Sequence, residues 1–212
     1  MFAQRLETLK KSIDSVNTEN RDITIVGVTK YTDIPLINET VNGALSDLAE
    51  NKVQRLVELR SYMPEAKLHL IGHLQTNKAK QAVACADLIQ SVDSIKILNE
   101  ISKESKKINK IQDILVQVNI AHEEAKFGLY EEEAKELIRI ASETDNINLR
   151  GLMTIMPIEF NEEYYAKMGD FYGEMKIVFP ALSILSMGMT NDYETAIKYG
   201  SNMIRVGSYL FK

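Results

Sequence analysis

Short runs of Ile, Val and Leu alternate with stretches whose apolar residues return every three or four positions, and the alternation continues along the whole chain. The first run, Ile23-Thr24-Ile25-Val26-Gly27-Val28-Thr29-Lys30, is apolar on both faces, the pattern of a parallel strand covered by helices. Further strands are expected at residues 44–49, 68–72, 87–92, 114–119, 149–155, 182–187 and 202–206. The intervening segments read as helices. Asp33 and Pro35 open one that carries Ile37 and Val41 and stops near Gly43. Tyr164, Met168, Phe171, Met175 and Val178 form the apolar stripe of another, and Thr190 is expected to cap a third that ends before Gly200. Eight strands alternating with helices, with no linker rich in Pro, Gly or Ser, predict an α/β chain folded as one (β/α)₈ TIM-type barrel, a single domain over residues 1–212. An open doubly wound sheet is the second candidate, but no glycine-rich phosphate fingerprint follows strand one. Too few residues follow Val206 for a helix after strand eight. An extra N-terminal helix carrying Phe2, Leu6, Leu9, Ile13 and Val16 is expected to cover that side instead.

Composition narrows the partners. The net charge of −5 comes from interleaved acids and bases, which disfavours a nucleic-acid backbone. No apolar run is long enough to span a bilayer, and the N-terminal residues are amphipathic rather than a signal peptide, so no membrane partner is expected. Cys85 is the single cysteine and forms no internal disulfide, which fits a reducing, cytoplasmic location. His69, His73 and His122 lack the spacing of a zinc site, and no metal is expected.

Active sites of barrels form where the strands end. Those ends are Lys30, Glu50-Asn51, Gly72-His73, Asp93, Asn119, Thr154, the segment Ser186-Met187-Gly188-Met189-Thr190, and Arg205-Val206-Gly207-Ser208. The last two segments offer backbone N–H groups and hydroxyls where barrels often bind phosphate. A phosphate cradle facing a lone lysine suggests a phosphorylated carbonyl compound held on the amine, because burial leaves a lysine neutral and nucleophilic. A phosphosugar aldolase and a pyridoxal 5′-phosphate (PLP) site both fit this arrangement. Arg205, two residues before Gly207, favours PLP, since a guanidinium there can donate to a ring nitrogen.

Several segments in order resemble the YggS/PROSC family of PLP homeostasis proteins, whose fold is that of the alanine racemase N-terminal barrel. They are Val26-Gly27-Val28-Thr29-Lys30, Glu50-Asn51-Lys52-Val53-Gln54, residues 69–78 from His69 to Lys78, Arg150-Gly151-Leu152-Met153, residues 186–192 from Ser186 to Asp192, and residues 196–208 from Ala196 to Ser208. The resemblance implies that Lys30 holds PLP as a Schiff base. It also implies that Thr190, Gly207 and Ser208 bind the phosphate, with Ser186 and Met189 in the same segment as Thr190. Arg205 would then face the pyridine nitrogen, and Asn51 and His69 would line the ring pocket. The chain departs from the family at Leu48-Ala49, where Phe-Gly is usual, and in lacking a proline soon after Lys30. Lys78 and Lys126 match basic positions of the family and read as solvated side chains.

An arginine keeps its proton near neutral pH, so a ring nitrogen opposite Arg205 stays unprotonated and the cofactor is a weakened electron sink. By the same resemblance, alanine racemases draw a second base from a C-terminal domain. The expected function is therefore PLP homeostasis by a carrier that is not an enzyme, with weak amino-acid racemase-type activity as the alternative. Apo PLP-dependent enzymes are the candidate protein partners, and a monomer is expected.

Overall fold

The computed structural model describes residues 2–30, 32–34, 37, 41 and 44–211. Eight parallel strands close into a barrel in sequence order: β1 (Thr24–Val28), β2 (Asp47–Glu50), β3 (Lys67–Leu70), β4 (Leu88–Val92), β5 (Gln112–Val118), β6 (Ile147–Thr154), β7 (Ile184–Ser186) and β8 (Met203–Val206). Closure comes from β8 pairing with β1, with Thr24 beside Met203 and Val26 beside Arg205. The helices are α1 (Phe2–Val16), α2 (Val53–Tyr62), α3 (Ala79–Cys85) after a 3₁₀ turn at Thr76–Lys78, α4 (Ile95–Lys107), α5 (Glu131–Glu143), α6 (Glu162–Val178), α7 (Tyr193–Lys198) and the single turn α8 (Ser208–Phe211). Between β1 and β2, Ile34, Ile37 and Val41 are helical and buried, and the Ile37 N–H donates to the Asp33 carbonyl at 3.0 Å. Pro35 and Gly43, expected to begin and end that helix, lie outside the described residues.

Two apolar layers result from the period-two alternation of the strands. Val26, Ala49, Leu88, Leu115, Met153 and Met203 point inward and pack together inside the barrel. Leu48, Leu68, Ile89, Ile114, Leu152, Leu185 and Ile204 belong to the larger core that the strands share with the helices. Each fully buried Leu or Ile of that core contributes about 1.5–3 kcal/mol.

Several boundaries differ from the sequence expectation. β1 stops at Val28, so Lys30 sits on a turn beyond the strand rather than at its last position. Thr190 does not cap a helix; α7 begins later, after Asp192. The buried stripe of α6 is Tyr165, Met168, Phe171 and Met175, with Tyr164 half-buried and Val178 61% exposed. The helix phase selects Tyr165 over its neighbour, and Val178 lies past the edge of the core. One helical turn does follow β8. The α1 face of Phe2, Leu6, Leu9 and Ile13 is buried against α7 and α8, with the rings of Phe2 and Phe211 5.5 Å apart. Tyr193 donates to Ser12 at 2.9 Å, and Ser12 donates to Glu194 at 2.5 Å. The N-terminal helix thus covers the β8 side of the barrel, sharing that surface with α8.

Candidate functional site

The inward alternation of the strands continues past their carboxyl ends and opens into a cavity of about 850 Å³. Val28 at the end of β1 and Lys30 beyond it, Asn51 after β2, Ile71 and His73 after β3, Gln117 on β5, Ile155 after β6, and Arg205 and Gly207 at β8 all line it. Met189, Thr190 and Ser208 complete the wall between the loops after β7 and β8. Seven of the nine residues singled out from the sequence therefore meet in one place: Lys30, Asn51, Met189, Thr190, Arg205, Gly207 and Ser208.

His69 and Ser186 do not line the cavity. Both are buried inside the barrel below it, and their hydrogen bonds run to Asp47, Gln90 and Arg205. His69 occupies an inward β3 position one step short of the opening, where Ile71 and His73 take the wall instead.

The turn that presents Lys30 is braced from below. Thr29 is fully buried; its N–H donates to the Ala49 carbonyl at 3.1 Å and its hydroxyl to Glu50 at 2.6 Å. Arg55 of α2 donates to the same Glu50 oxygen at 3.4 Å and to the Thr32 carbonyl at 2.8 Å, so it clamps both sides of the lysine turn. Glu50 is a fully buried carboxylate whose Oε1 accepts from both an arginine and a hydroxyl, while its Oε2 has no hydrogen-bond partner among the described residues. The Glu50-Asn51 pair thus divides its work: Glu50 holds the lysine turn and Asn51 faces the cavity.

Opposite, the loops after β7 and β8 are tied to each other. The Arg205 N–H donates to the Gly188 carbonyl at 3.0 Å, and the Ser208 hydroxyl donates to Thr190 Oγ1 at 3.3 Å. Asp192 folds the Met189–Asp192 turn by accepting from the Met189 N–H at 2.6 Å, and Tyr165 donates to its other oxygen at 2.7 Å. Gly188 has φ +99, and a Cβ there would come within 2.6 Å of the Ala196 Cβ, so this turn requires glycine. The loops leave two hydroxyls and the start of a helical turn side by side, with Gly207 contributing no side chain. A Cβ on Gly207 would meet the Val28 carbonyl oxygen at 3.0 Å.

Arg205 is 3% exposed; one guanidinium nitrogen donates to Ser186 Oγ and the other to the Thr154 carbonyl, both at 2.7 Å. Burial lowers its pKa to about 10, partly opposed by the charge of Asp192, so it remains a cation at neutral pH. The Tyr165 phenol is pushed well above its ordinary value by burial and by its hydrogen bond to Asp192.

The remaining wall joins the strand ends at His73 and Asp93 to loops that carry no sequence signal. Phe127 stacks on His73 with centroids 3.9 Å apart, and His73 pairs with Asp93 at 2.8 Å. Gln117 donates to the Phe127 carbonyl at 3.1 Å and Lys126 to the Met156 carbonyl at 2.9 Å, which draws the β5 and β6 loops together. Lys126, expected to be solvated, is half-buried against this wall and also pairs with Glu123 at 2.5 Å. Gln117 was within reach of the alternation rule, since Leu115 and Gln117 continue one inward row; Arg55, Phe127 and Met156 were not.

A lysine on the turn after β1 and a pair of hydroxyls between the loops after β7 and β8 thus share one cavity. The family model described as alanine racemase, N-terminal domain matches residues 5–212, and the chain belongs to that family. Within it the chain is a member of the YggS/PROSC family of pyridoxal phosphate homeostasis proteins. It is 35% identical to the pyridoxal phosphate homeostasis protein of Aquifex aeolicus over 97% of this chain and 93% of that one. Against the protein of the same name from Helicobacter pylori strain J99 it is 34% identical, over 100% of this chain and 98% of that one. PipY of Synechococcus elongatus PCC7942, solved with PLP bound, superposes with a TM-score of 0.88 at 27% identity, covering 100% of both chains. An alanine racemase of Clostridium difficile 630 shares the fold, with a TM-score of 0.78 at 18% identity over 98% of this chain and 56% of that one.

Proposed function

We propose that this chain binds PLP covalently through the Lys30 amine and serves PLP homeostasis as a carrier rather than as an enzyme. The observation that carries the reading is the single cavity that brings together the Lys30 amine, the Arg205 guanidinium and the paired hydroxyls of Thr190 and Ser208. These groups fit the cofactor: the side-chain-free Gly207 and the two hydroxyls suit a phosphate, and the buried arginine is a donor for a ring nitrogen. When bound, PLP supplies an electrophilic carbonyl and an electron-withdrawing ring. Lys30 would hold it, Thr190, Gly207 and Ser208 would orient the phosphate, and Asn51 and Met189 would line its surroundings.

The protonation states support a holder. Arg205 keeps its proton at neutral pH, so it does not protonate a ring nitrogen and the withdrawing power of the ring stays low. Racemisation requires a base on each face of the substrate. Tyr165 is the tyrosine of the cavity wall among the described residues, and its proton is committed to Asp192. Residues 1–212 would form the single domain that does this, as a monomer in the cytoplasm, with apo PLP-dependent enzymes as recipients. No described helix is long and apolar enough to cross a membrane.

An absorbance spectrum of the purified protein beside Lys30→Ala tests the proposal. A visible band in the parent that the variant lacks is expected; two colourless proteins that take up no added PLP would overturn it. Mixing the holo-protein with amino acids in deuterated water separates carrier from enzyme. Exchange of the α-hydrogen faster than with free PLP would establish the racemase-type alternative.

A further inference from the structure

At the floor of the cavity, five side chains from five strands form one continuous row of hydrogen bonds. Asp47 on β2 lies 3.1 Å from His69 Nε2 on β3, and His69 Nδ1 lies 2.8 Å from Gln90 Nε2 on β4. Gln90 Oε1 lies 2.7 Å from Ser186 Oγ on β7, which lies 2.7 Å from Arg205 Nη1 on β8. Asp47, His69, Gln90, Ser186 and Arg205 are all buried.

The direction of every bond in this row follows from one end. A guanidinium only donates, so Ser186 Oγ must accept from Arg205 and turn its own proton elsewhere. The Gln90 carbonyl oxygen is the acceptor within reach, which places the Gln90 NH₂ at the other end of the amide. That group meets His69 Nδ1 and, at 3.3 Å, the Met203 sulfur. Both of its protons are thereby used, whereas a flipped amide would set an oxygen against the sulfur and leave the serine proton without an acceptor. Nδ1 of His69 is therefore an acceptor, and the ring carries its proton on Nε2, donated to Asp47. Burial works against ionisation of Asp47, but its hydrogen bonds from His69 and Ser46 prevail and hold its carboxyl below the ordinary range.

We propose that His69 is a positioning residue: fixed by Asp47 as the neutral Nε2–H tautomer, it orients Gln90 and, through Gln90 and Ser186, holds the Arg205 guanidinium in place beneath the cavity. The polar layer is the floor of the site. His69 acts on the site at a distance of two side chains, without touching its contents. The tautomer stands on the geometry alone; the effect on cofactor binding rests on the PLP reading above.

Nuclear magnetic resonance of the apo-protein labelled with ¹⁵N-histidine reads the tautomer directly. The parent should show His69 with a proton on Nε2 and none on Nδ1. Ser186→Ala, which removes no atom in contact with the imidazole, should release the amide and give a mixture of tautomers. The isosteric Gln90→Glu, a second variant in case the first does not fold, sets a carboxylate against Nδ1 and should yield a ring protonated on both nitrogens. A parent proton on Nδ1, or a His69 signal unmoved by either variant, would overturn the proposal. Titration of apo-protein with PLP should give about tenfold weaker binding for Ser186→Ala, from one lost bond to a charged group. Unchanged affinity and spectrum would remove the coupling to Arg205. If the parent itself binds no PLP, the functional reading fails, and the tautomer measurement alone decides the role of His69.

Discussion

Replacing Arg205 with Met sets two opposing quantities against each other. The guanidinium is fully buried, and among the described residues its hydrogen-bond acceptors are a hydroxyl and a carbonyl rather than a carboxylate. Burial holds its pKa down at about 10, which corresponds to about 3 kcal/mol of penalty on the charged form. Met recovers that penalty and keeps most of the volume. Against this, the bonds from the charged guanidinium to Ser186 and Thr154 are lost, at about 1.5 kcal/mol each, and Ser186 still has Gln90 as a partner. The difference leaves Arg205→Met within about 1 kcal/mol of the parent, where removal of one partner of a buried ion pair would cost about 3–5 kcal/mol. Urea unfolding of the two apo-proteins at neutral pH measures this, with PLP titration in parallel. A variant of parental stability that binds PLP poorly is expected, a residue kept for its site at no gain to the fold. Destabilisation by more than about 3 kcal/mol would refute the reasoning and make Arg205 a structural element.

Two further perturbations probe the scaffold around the site. Burial opposes ionisation of Glu131, but hydrogen bonds from Lys167 and His122 outweigh it and hold the carboxyl down to about 2, below its ordinary 4.5. Because the folded value is depressed, the contribution is complete above 4.5 and is lost as pH falls toward 2; its size is at most about 3 kcal/mol. Glu131→Gln should flatten the dependence of the urea midpoint on pH in that window, and parallel curves for parent and variant would contradict it. Gly72→Ala would place a Cβ 2.0 Å from the Asn51 carbonyl oxygen, so the strand end must move. A loss of about 1–3 kcal/mol is expected, with weaker PLP binding because Asn51 lines the cavity. A melting curve superposable on the parent's would show that this strand end yields freely.

The barrel was legible because its outer core is built of β-branched and leucine runs that nothing else in the chain imitates. β2 was the weakest strand in the sequence for a physical reason. Asp47 and Glu50 are both buried, one held by His69 and the other by Thr29 and Arg55, partners that only the closed barrel supplies. The same closure explains His69. The family resemblance implies that His69 lines the ring pocket, but His69 lies one step too deep on β3, and the inward row reaches the opening only at Ile71 and His73. Thr190 reads as a helix cap because it stands between the strand-seven segment and a helical stretch; the carboxylate of Asp192, with Tyr165 behind it, folds the turn instead. Lys30, Arg205, Gly207 and Ser208 were found because strand ends can be counted. Phe127 and Met156 reach the cavity through loops whose course no periodicity describes.

The pairing of β8 with β1 also sets a timetable. Thr24 must meet Met203 across nearly the whole chain before the barrel closes, the kind of distant contact that slows folding. Arg205 and Gly207 are carried by that last strand and its end, so the floor and one wall of the cavity arrive only with closure. A ligand that needs them engages finished molecules alone and draws the population toward them. In such a topology, occupancy doubles as a certificate that folding is complete.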